Sequence, residues 1–329
     1  MKRPALALNV KIERWPIAGH FTISRGAKTE AAVVVATISD GQFAGRGECV
    51  PYARYGESVK GVLATIASLT PRLRKGLTRG ELQEALPPGA ARNALDCALW
   101  DLASKRSGKR AWELADLPEP APVVTAYTIS LDTPDAMAKA ASNAKFPLLK
   151  LKLGAPGDPA RLRAIRAAVP KVTLIADANE GWHADNLVEN LNACAEADVK
   201  LVEQPLPATE DDVLASIEHA IPICADESVH DRNSLAGLIE KYDAVNVKLD
   251  KAGGFTEALA LATDARKMGF SVMIGSMVST SLGVAPALLL AHLAEFVDLD
   301  GPLLLARDRP DALHYEGATV YAPAATLWG

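Results

Sequence analysis

Three acidic residues, Asp177, Glu203 and Asp226, fall at the ends of three successive apolar stretches. Carboxylates brought to one place repel each other unless a cation sits among them. The donors are all oxygen, so the ion they suit is Mg²⁺, with Mn²⁺ as a substitute, rather than zinc. Three protein ligands leave octahedral positions for water and for a substrate carboxylate. Two lysines, Lys152 and Lys248, stand before and after this set in the chain. A lysine near a divalent cation, or near a second lysine such as Lys150, has its pKa lowered because its charged form is disfavoured. A neutral lysine is a competent general base. Two such amines facing one carbon can take a proton from one side and return one to the other, which is the geometry of racemisation or epimerisation. Lys251 competes with Lys248 for the second role, although it falls in the loop beyond.

The elements that must position these residues follow from the hydrophobic pattern. From Val123 onward, short apolar stretches alternate with amphipathic ones. The pattern predicts strands over 123–130, 148–153, 172–177, 199–203, 222–226, 243–248, 270–275 and 295–300. Helices are predicted between them, for example over 134–145, 159–168, 184–197 and 256–268. Asp132-Thr133-Pro134 reads as a helix start, with a capping residue and a proline at the first helical position. Eight strands, each followed by a helix, predict a closed parallel barrel. An open doubly wound sheet would bring a glycine-rich phosphate loop after its first strand, and none is present.

In such a barrel, chemistry sits at the C-terminal ends of the strands. Those ends carry Lys150 and Lys152, Asp177-Ala178-Asn179, Glu203-Gln204-Pro205, Asp226-Glu227-Ser228, Asn246-Val247-Lys248, Gly275-Ser276-Met277 and Asp298-Leu299-Asp300. Side chains alternate along a strand, so Lys150 shares a face with Lys152, and Asp298 with Asp300. A charge inside an apolar strand is costly unless paired or metal-bound. A succession of polar strand ends therefore reads as one site rather than as scattered surface charges.

The first third of the chain reads as α+β. Residues 31–39 and 43–49 flank the turn Asp40-Gly41, a hairpin signature. Gly41, Gly45 and Gly47 read as turn glycines. A helix begins near Gly89, with Ala91, Leu95, Ala98, Leu99 and Leu102 at helical spacing. Pro118, Pro120 and Pro122 mark a linker. The 329 residues are 49% hydrophobic and 23% charged, as in a globular protein. A net charge of -5 leaves no basic excess for nucleic acid, and 5% aromatics are too few for base-stacking platforms. Cys49, Cys97, Cys194 and Cys224 are far apart, which predicts reduced thiols in a cytoplasmic protein. The N-terminal apolar run stops at Lys11 and Glu13, too early for a signal segment. The charge-free run from Met268 to Ala294 is long enough for a bilayer, but its serines, threonine, glycines and proline predict a strand, a polar loop and a helix.

Five motifs together resemble the muconate-lactonizing subgroup of the enolase superfamily: K-x-K at Lys150–Lys152, DAN at Asp177–Asn179, EQP at Glu203–Pro205, ADES at Ala225–Ser228 and NVKLDKAGG at Asn246–Gly254. They occur in the family's order and cover nearly the whole chain. The resemblance implies an α/β fold, a modified (β/α)₇β TIM-like barrel over 122–301. It also implies an N-terminal α+β capping domain, 1–118, completed by about 302–329. It implies one Mg²⁺ per chain on Asp177, Glu203 and Asp226, with Asn179 behind them. Lys152 and Lys248 become the acid/base pair, Lys248 being favoured over Lys251 by its distance from Asp226. Superfamily sites combine a Lys or His base with Mg²⁺ that stabilises an ene-diolate.

Within the subgroup the pattern is similar to the dipeptide epimerases that act on L-Ala-D/L-Glu. Asp298-x-Asp300 resembles their α-ammonium site. Phe21–Gly26 resembles the cap segment whose arginine, here Arg25, binds the glutamate side chain; Lys150 and Ser276 carry over as substrate contacts. Pro51–Ser58 and Gly89–Leu102 are similar too, the latter as core packing. The physics agrees: an ammonium needs anionic partners, and an arginine can grip a distal carboxylate bidentately. The implied reaction is 1,1-proton transfer at the α-carbon of the second residue, in cytoplasmic murein peptide metabolism. The partner is a dipeptide, with no nucleic acid and no membrane, and a homo-oligomer is compatible with it. Cycloisomerisation, o-succinylbenzoate synthesis and N-acylamino acid racemisation use substrates without a free ammonium, so Asp298-x-Asp300 argues against them. A Schiff-base lysine and a non-catalytic metal-binding barrel are the remaining alternatives.

Overall fold

The computed structural model describes residues 3–329, so the first two residues of the N-terminal run lie outside it. The chain opens with three antiparallel strands, β1 (Ala7–Ile23), β2 (Gly26–Ser39) and β3 (Ala44–Cys49), in the order β1-β2-β3. β2 is mainly apolar from Ala31 to Ile38, where both its faces are covered. Val34, Ala36 and Ile38 pack into a core with the cap helices, while Val33 and Val35 join the core that continues into the barrel. Five helices follow: α1 (Val59–Ser68), α2 (Thr70–Leu73), α3 (Arg79–Ala85), α4 (Ala90–Ser107) and α5 (Ala111–Leu114). α4 lies directly on β3. A Cβ on Gly45 would stand 2.2 Å from the Ala98 carbonyl oxygen, and one on Gly47 2.2 Å from that of Ala94. These two glycines are thus not turn residues, as the sequence suggested, but the flat surface on which the helix rests.

Next come β4 (Val123–Val124) and eight parallel strands in chain order. They are β5 (Tyr127–Ile129), β6 (Leu148–Lys152), β7 (Thr173–Asp177), β8 (Val199–Glu203), β9 (Ile223–Ala225), β10 (Ala244–Lys248), β11 (Ser271–Gly275) and β12 (Phe296–Asp298). β5 and β12 meet through single bonds rather than a ladder. Ala126 N donates to Val297 O at 2.8 Å, Leu299 N to Thr125 Oγ1 at 2.8 Å, and Thr128 N to Asp300 Oδ2 at 2.6 Å. Helices over Pro134–Ala144, Asp158–Ala168, Leu187–Glu196, Phe255–Lys267 and Ser281–Leu288 cover the outside. The expectation of a helix after every strand fails after β8, β9 and β12, where only 3₁₀ turns form, at Asp211–Ser216, Arg232–Gly237 and Gly301–Leu304. Pro205, Pro207 and Pro222 leave the first of these connections little room for a helix. The helix expected from 184 begins at Leu187, because Asn186 Oδ1 accepts from His183 N and closes a turn instead.

β13 (Tyr315–Glu316) and β14 (Thr319–Val320) pair with β4 in a small antiparallel sheet. The last residues then return to the cap. Trp328 Nε1 donates to Cys97 O, and Gly329 N to Asp101 Oδ1. The apolar run from 268 to 294 forms β11, a loop and a helix, as predicted. Among the described residues no helix is long and apolar enough to cross a membrane. All four cysteines are free and buried.

Candidate active site

The barrel interior is layered by strand alternation. Ala126, Leu148, Ile175, Leu201, Cys224, Ala244 and Met273 form an apolar floor. Two residues further along each strand, the same inward face carries Thr128, Lys150, Asp177, Glu203, Asp226, Asn246 and Gly275. Lys152 and Lys248 lie two residues beyond Lys150 and Asn246 on their own strands, and in strand register Lys152 pairs with Asp177, Asp177 with Glu203, and Lys248 with Gly275. Gly275 is needed because a Cβ there would meet Asn246 Oδ1 at 2.6 Å. β6 and β10 are four strands apart in a ring of eight, so Lys152 and Lys248 come from opposite walls.

Every carboxylate in this layer faces an ammonium. Lys152 Nζ donates to Asp177 Oδ2 at 2.6 Å and Lys248 Nζ to Asp226 Oδ2 at 2.7 Å. Lys150 Nζ lies 2.6 Å from Glu203 Oε2, 2.7 Å from Asp298 Oδ2 and 3.2 Å from Asp177 Oδ2. Glu203 Oε2 nevertheless has no hydrogen-bond donor. The short approach of Lys150 is a charge contact out of line for a hydrogen bond, and it leaves a lone pair open. Asn246 Nδ2 serves the other oxygen at 2.7 Å. Lys251 sits in a short helix, Leu249–Ala252, rather than in a loop. Its three ammonium protons are taken by Asp226 O and Oδ1, both at 2.5 Å, and Asn246 O at 2.9 Å.

These pairings set the proton affinities. Burial pushes the Lys248 ammonium down, but Asp226 and Glu203 outweigh it and hold the group above the usual lysine range. Lys150 is likewise raised, burial being overcome by Asp298, Glu203 and Asp177. At Lys248 the lowering that a nearby Lys150 brings is present, but Asp226 and Glu203 outweigh it. Lys251 is lowered, because burial outweighs Asp226. Burial lifts Asp177 and Asp226, yet Lys152 and Lys150 for the first, and Lys248 and Lys251 for the second, bring both well below the carboxylate range. Glu203 goes up, from burial and from Asp177 beside it.

As the side chains stand, no three Asp, Glu, His or Cys groups among the described residues close on one point. Each carboxylate is turned to a lysine instead. The donor set still fits a hard divalent cation: three buried carboxylates on adjacent strands, all oxygen, one with an open lone pair. Asp177, Glu203 and Asp226 are the residues that could hold it. Asn179 stands behind them, its backbone N–H donating to Asp177 Oδ1 at 2.9 Å.

Above this layer lies a cavity of about 470 Å³. Lys150, Lys152, Lys248, Asn179, Asp226, Ser276, Asp298, Asp300 and Arg25 all line it, whereas Lys251 does not. That separates the two candidate lysines on geometry. Asp298 Oδ1 has no partner. Burial and the neighbouring Asp298 push Asp300 up to about 7, against the bond it accepts from Thr128 N. Ser276 N donates to Asp298 O at 3.1 Å. Phe21, from the cap hairpin, places its ring 5.7 Å from Lys152 Nζ.

Arg25 occupies the β1–β2 turn and reaches the barrel rim. Its Nη1 donates to Asn179 O at 2.6 Å and its Nη2 to Glu227 Oε1 at 2.6 Å. Glu227 carried no assigned role in the sequence reading. It is buried, its Oε2 has no partner, and burial with Asp226 and Asp177 raises it to about 7. Gln204 was also passed over. Its Oε1 accepts from Asp226 N and Ser228 N, at 2.9 and 3.1 Å, which fixes the turn that presents Asp226. The only advance signal for either was adjacency to an acidic strand end.

Comparison with known proteins agrees with this geometry. Residues 6–115 match the mandelate racemase / muconate lactonizing enzyme N-terminal domain, and residues 133–325 match the enolase C-terminal domain-like family. L-Ala-D/L-Glu epimerase of Escherichia coli (strain K12) is 50% identical over 306 residues, 92% of this chain and 95% of that one. N-acetyl-D-glutamate racemase of a Pseudoalteromonas species is 45% identical over 301 residues, covering 90% and 95%. A crystal structure of an enolase family member from Agrobacterium tumefaciens, with homology to dipeptide epimerases and with bound sodium and L-Ala-L-Glu, superposes with a TM-score of 0.96 at 56% identity. It covers 98% of this chain and 100% of its own. Racemases and epimerases are isomerases, and this chain is an enzyme of that class. With both domains matched across nearly its full length, the chain belongs to the mandelate racemase/muconate lactonizing enzyme family of the enolase superfamily.

Proposed function

We propose that the protein is a Mg²⁺-dependent dipeptide epimerase that interconverts L-Ala-L-Glu and L-Ala-D-Glu, in the setting of cytoplasmic murein peptide metabolism. The observation that carries this reading is the pair Lys152 and Lys248 on opposite walls of one cavity, with free acidic oxygen at Asp298 and a guanidinium at Arg25 on other parts of its rim. We assign residues 1–118 and 302–329 to a cap and 122–301 to the catalytic barrel.

Asp177, Glu203 and Asp226 would hold Mg²⁺, which would supply positive charge beside the substrate's terminal carboxylate. The rest is done by side chains. One of Lys152 and Lys248, in its neutral form, removes the Cα proton; the other, as an ammonium, delivers one to the opposite face. Asp298 and Asp300 receive the α-ammonium, whose charge favours the ionised form of Asp300. Arg25 receives the distal carboxylate. Phe21, Tyr52 and Tyr55 roof the cavity and keep bulk water from the carbanion.

Incubating L-Ala-L-Glu with the enzyme and Mg²⁺ in D₂O is expected to place deuterium at the glutamate α-carbon and to yield L-Ala-D-Glu. EDTA is expected to stop both and added Mg²⁺ to restore them. Failure to label that carbon would sink the reading. A second reading, racemisation of an N-acylated glutamate, is favoured by the Pseudoalteromonas relative. That substrate class brings no ammonium to Asp298. N-acetyl-L-Glu labelled faster than the dipeptide under the same conditions would decide for it.

A further inference from the structure

Glu180 lies three residues beyond Asp177 and outside the cavity lining. Its backbone, like that of Asn179, is left-handed, with φ of 63° and 45°. That conformation is uncommon for a residue with a side chain and marks a turn held by its surroundings. The side chain is 7% exposed and gathers three separate segments. Arg54, in the one-turn helix Ala53–Tyr55, donates to it through Nε and Nη2, both at 2.6 Å. Arg25 approaches from the β1–β2 turn at 3.2 Å. Ala208 N, in the loop after β8, donates at 2.9 Å.

The turn carrying Arg25 is seated on the same spot. Ser24 Oγ donates to Asn179 O at 2.8 Å, beside the bond from Arg25. Gly154 and Gly181 make the fit possible: a Cβ on Gly181 would stand 2.5 Å from the Gly154 carbonyl oxygen. Both arginines line the cavity. Among the described residues, Arg25 Nε and Arg54 Nη1 have no hydrogen-bond partner. Two guanidiniums this close repel each other, and Glu180 lies between them as the shared anion.

We propose that Glu180 is a positioning residue that sets the preference for an acidic second residue, by clasping the two cap loops so that Arg25 and Arg54 converge on the substrate's distal carboxylate. This rests on the dipeptide reading above and extends it to a residue that does not touch substrate. A clasp of this kind acts on binding of one side chain, not on the proton transfer.

The test is Glu180→Gln, which keeps the shape and removes the charge, assayed by deuterium labelling of L-Ala-L-Glu and of its neutral isostere L-Ala-L-Gln. KM for L-Ala-L-Glu is expected to rise about tenfold, the scale of one charge-assisted contact. The kcat should stay within about threefold, and the Glu-over-Gln ratio of kcat/KM should fall by the same roughly tenfold factor. Arg54→Ala reaches the clasp from the cap side and should give the same split, with Arg54→Lys recovering part of it. It also serves if Glu180→Gln does not fold. Either variant lowering kcat on both dipeptides alike would mark Glu180 as a fold element only and overturn the inference. So would an unchanged or lower KM in a variant of an active enzyme. An unlabelled dipeptide with the unaltered enzyme instead removes the epimerase reading, and this inference with it.

Discussion

Lys152 and Lys248 share one arrangement: each is a buried amine tied to one carboxylate of the acidic set. Lys152→Ala and Lys248→Ala are each expected to lower epimerisation on the order of 10²–10⁴-fold, the usual weight of a general acid or base. Circular dichroism should show the fold retained, and chiral analysis of the product gives the loss. Equal activity in both variants would leave the two-base assignment without support. The charged residues at the strand ends were legible in sequence because a charge on an inward strand position needs a reason. Glu227, Glu180 and Gln204 were not. Each lies just past a strand end, where alternation stops predicting direction and where Asn179, Glu180 and Gln204 take left-handed backbone. Their partners arrive from cap loops or later strands far along the chain, a distance no local pattern spans.

At the scale of elements, the barrel strands and most helices were legible because their patterns are clean. β2 stood out since both its faces are buried. β1 escaped notice for the opposite reason. It is half-exposed, carries Lys11, Glu13 and Arg14, and slips register between Pro16 and Phe21. Gly45 and Gly47 show how one residue type hides two roles, since only the arrival of α4 reveals the need for a missing side chain. Gly47→Ala is expected to destabilise the protein by about 1–3 kcal/mol, the cost of overpacking, because the new methyl meets backbone. Gly80→Ala in α3 meets nothing within 4 Å and should stabilise by about 0.5–1 kcal/mol through helix propensity. Urea unfolding of the two variants checks the contrast, and a Gly47→Ala protein as stable as its parent would contradict the packing described.

Over the whole molecule, cap and barrel are joined by buried polar contacts. Asp96 on α4 is fully buried and accepts from Thr256 N at 2.9 Å and Thr256 Oγ1 at 2.7 Å, across the junction. Burial raises its carboxyl to about 6, although the bonds from Thr256 pull the other way. A carboxyl with a raised folded pKa binds its proton more tightly folded than unfolded. Its contribution is therefore full at about pH 4 and below, and is lost as pH rises through about 6. Asp96→Asn should remove roughly 2–3 kcal/mol of that decline between pH 4 and 7. Urea midpoints at both pH values would show it, and parallel slopes for variant and parent would refute it.

The seam between β5 and β12 carries one more consequence. Asp298 ends the last barrel strand, β12, with Asp300 just beyond it, and Thr128, which anchors Asp300, lies on the first barrel strand, β5. On a translating ribosome the lysines and the acidic trio emerge well before the groove has its anionic end. The nascent chain gathers the two lysines and the acidic trio early, and under the proposed dipeptide reading the surface for a peptide's amino terminus is completed only once β12 meets β5.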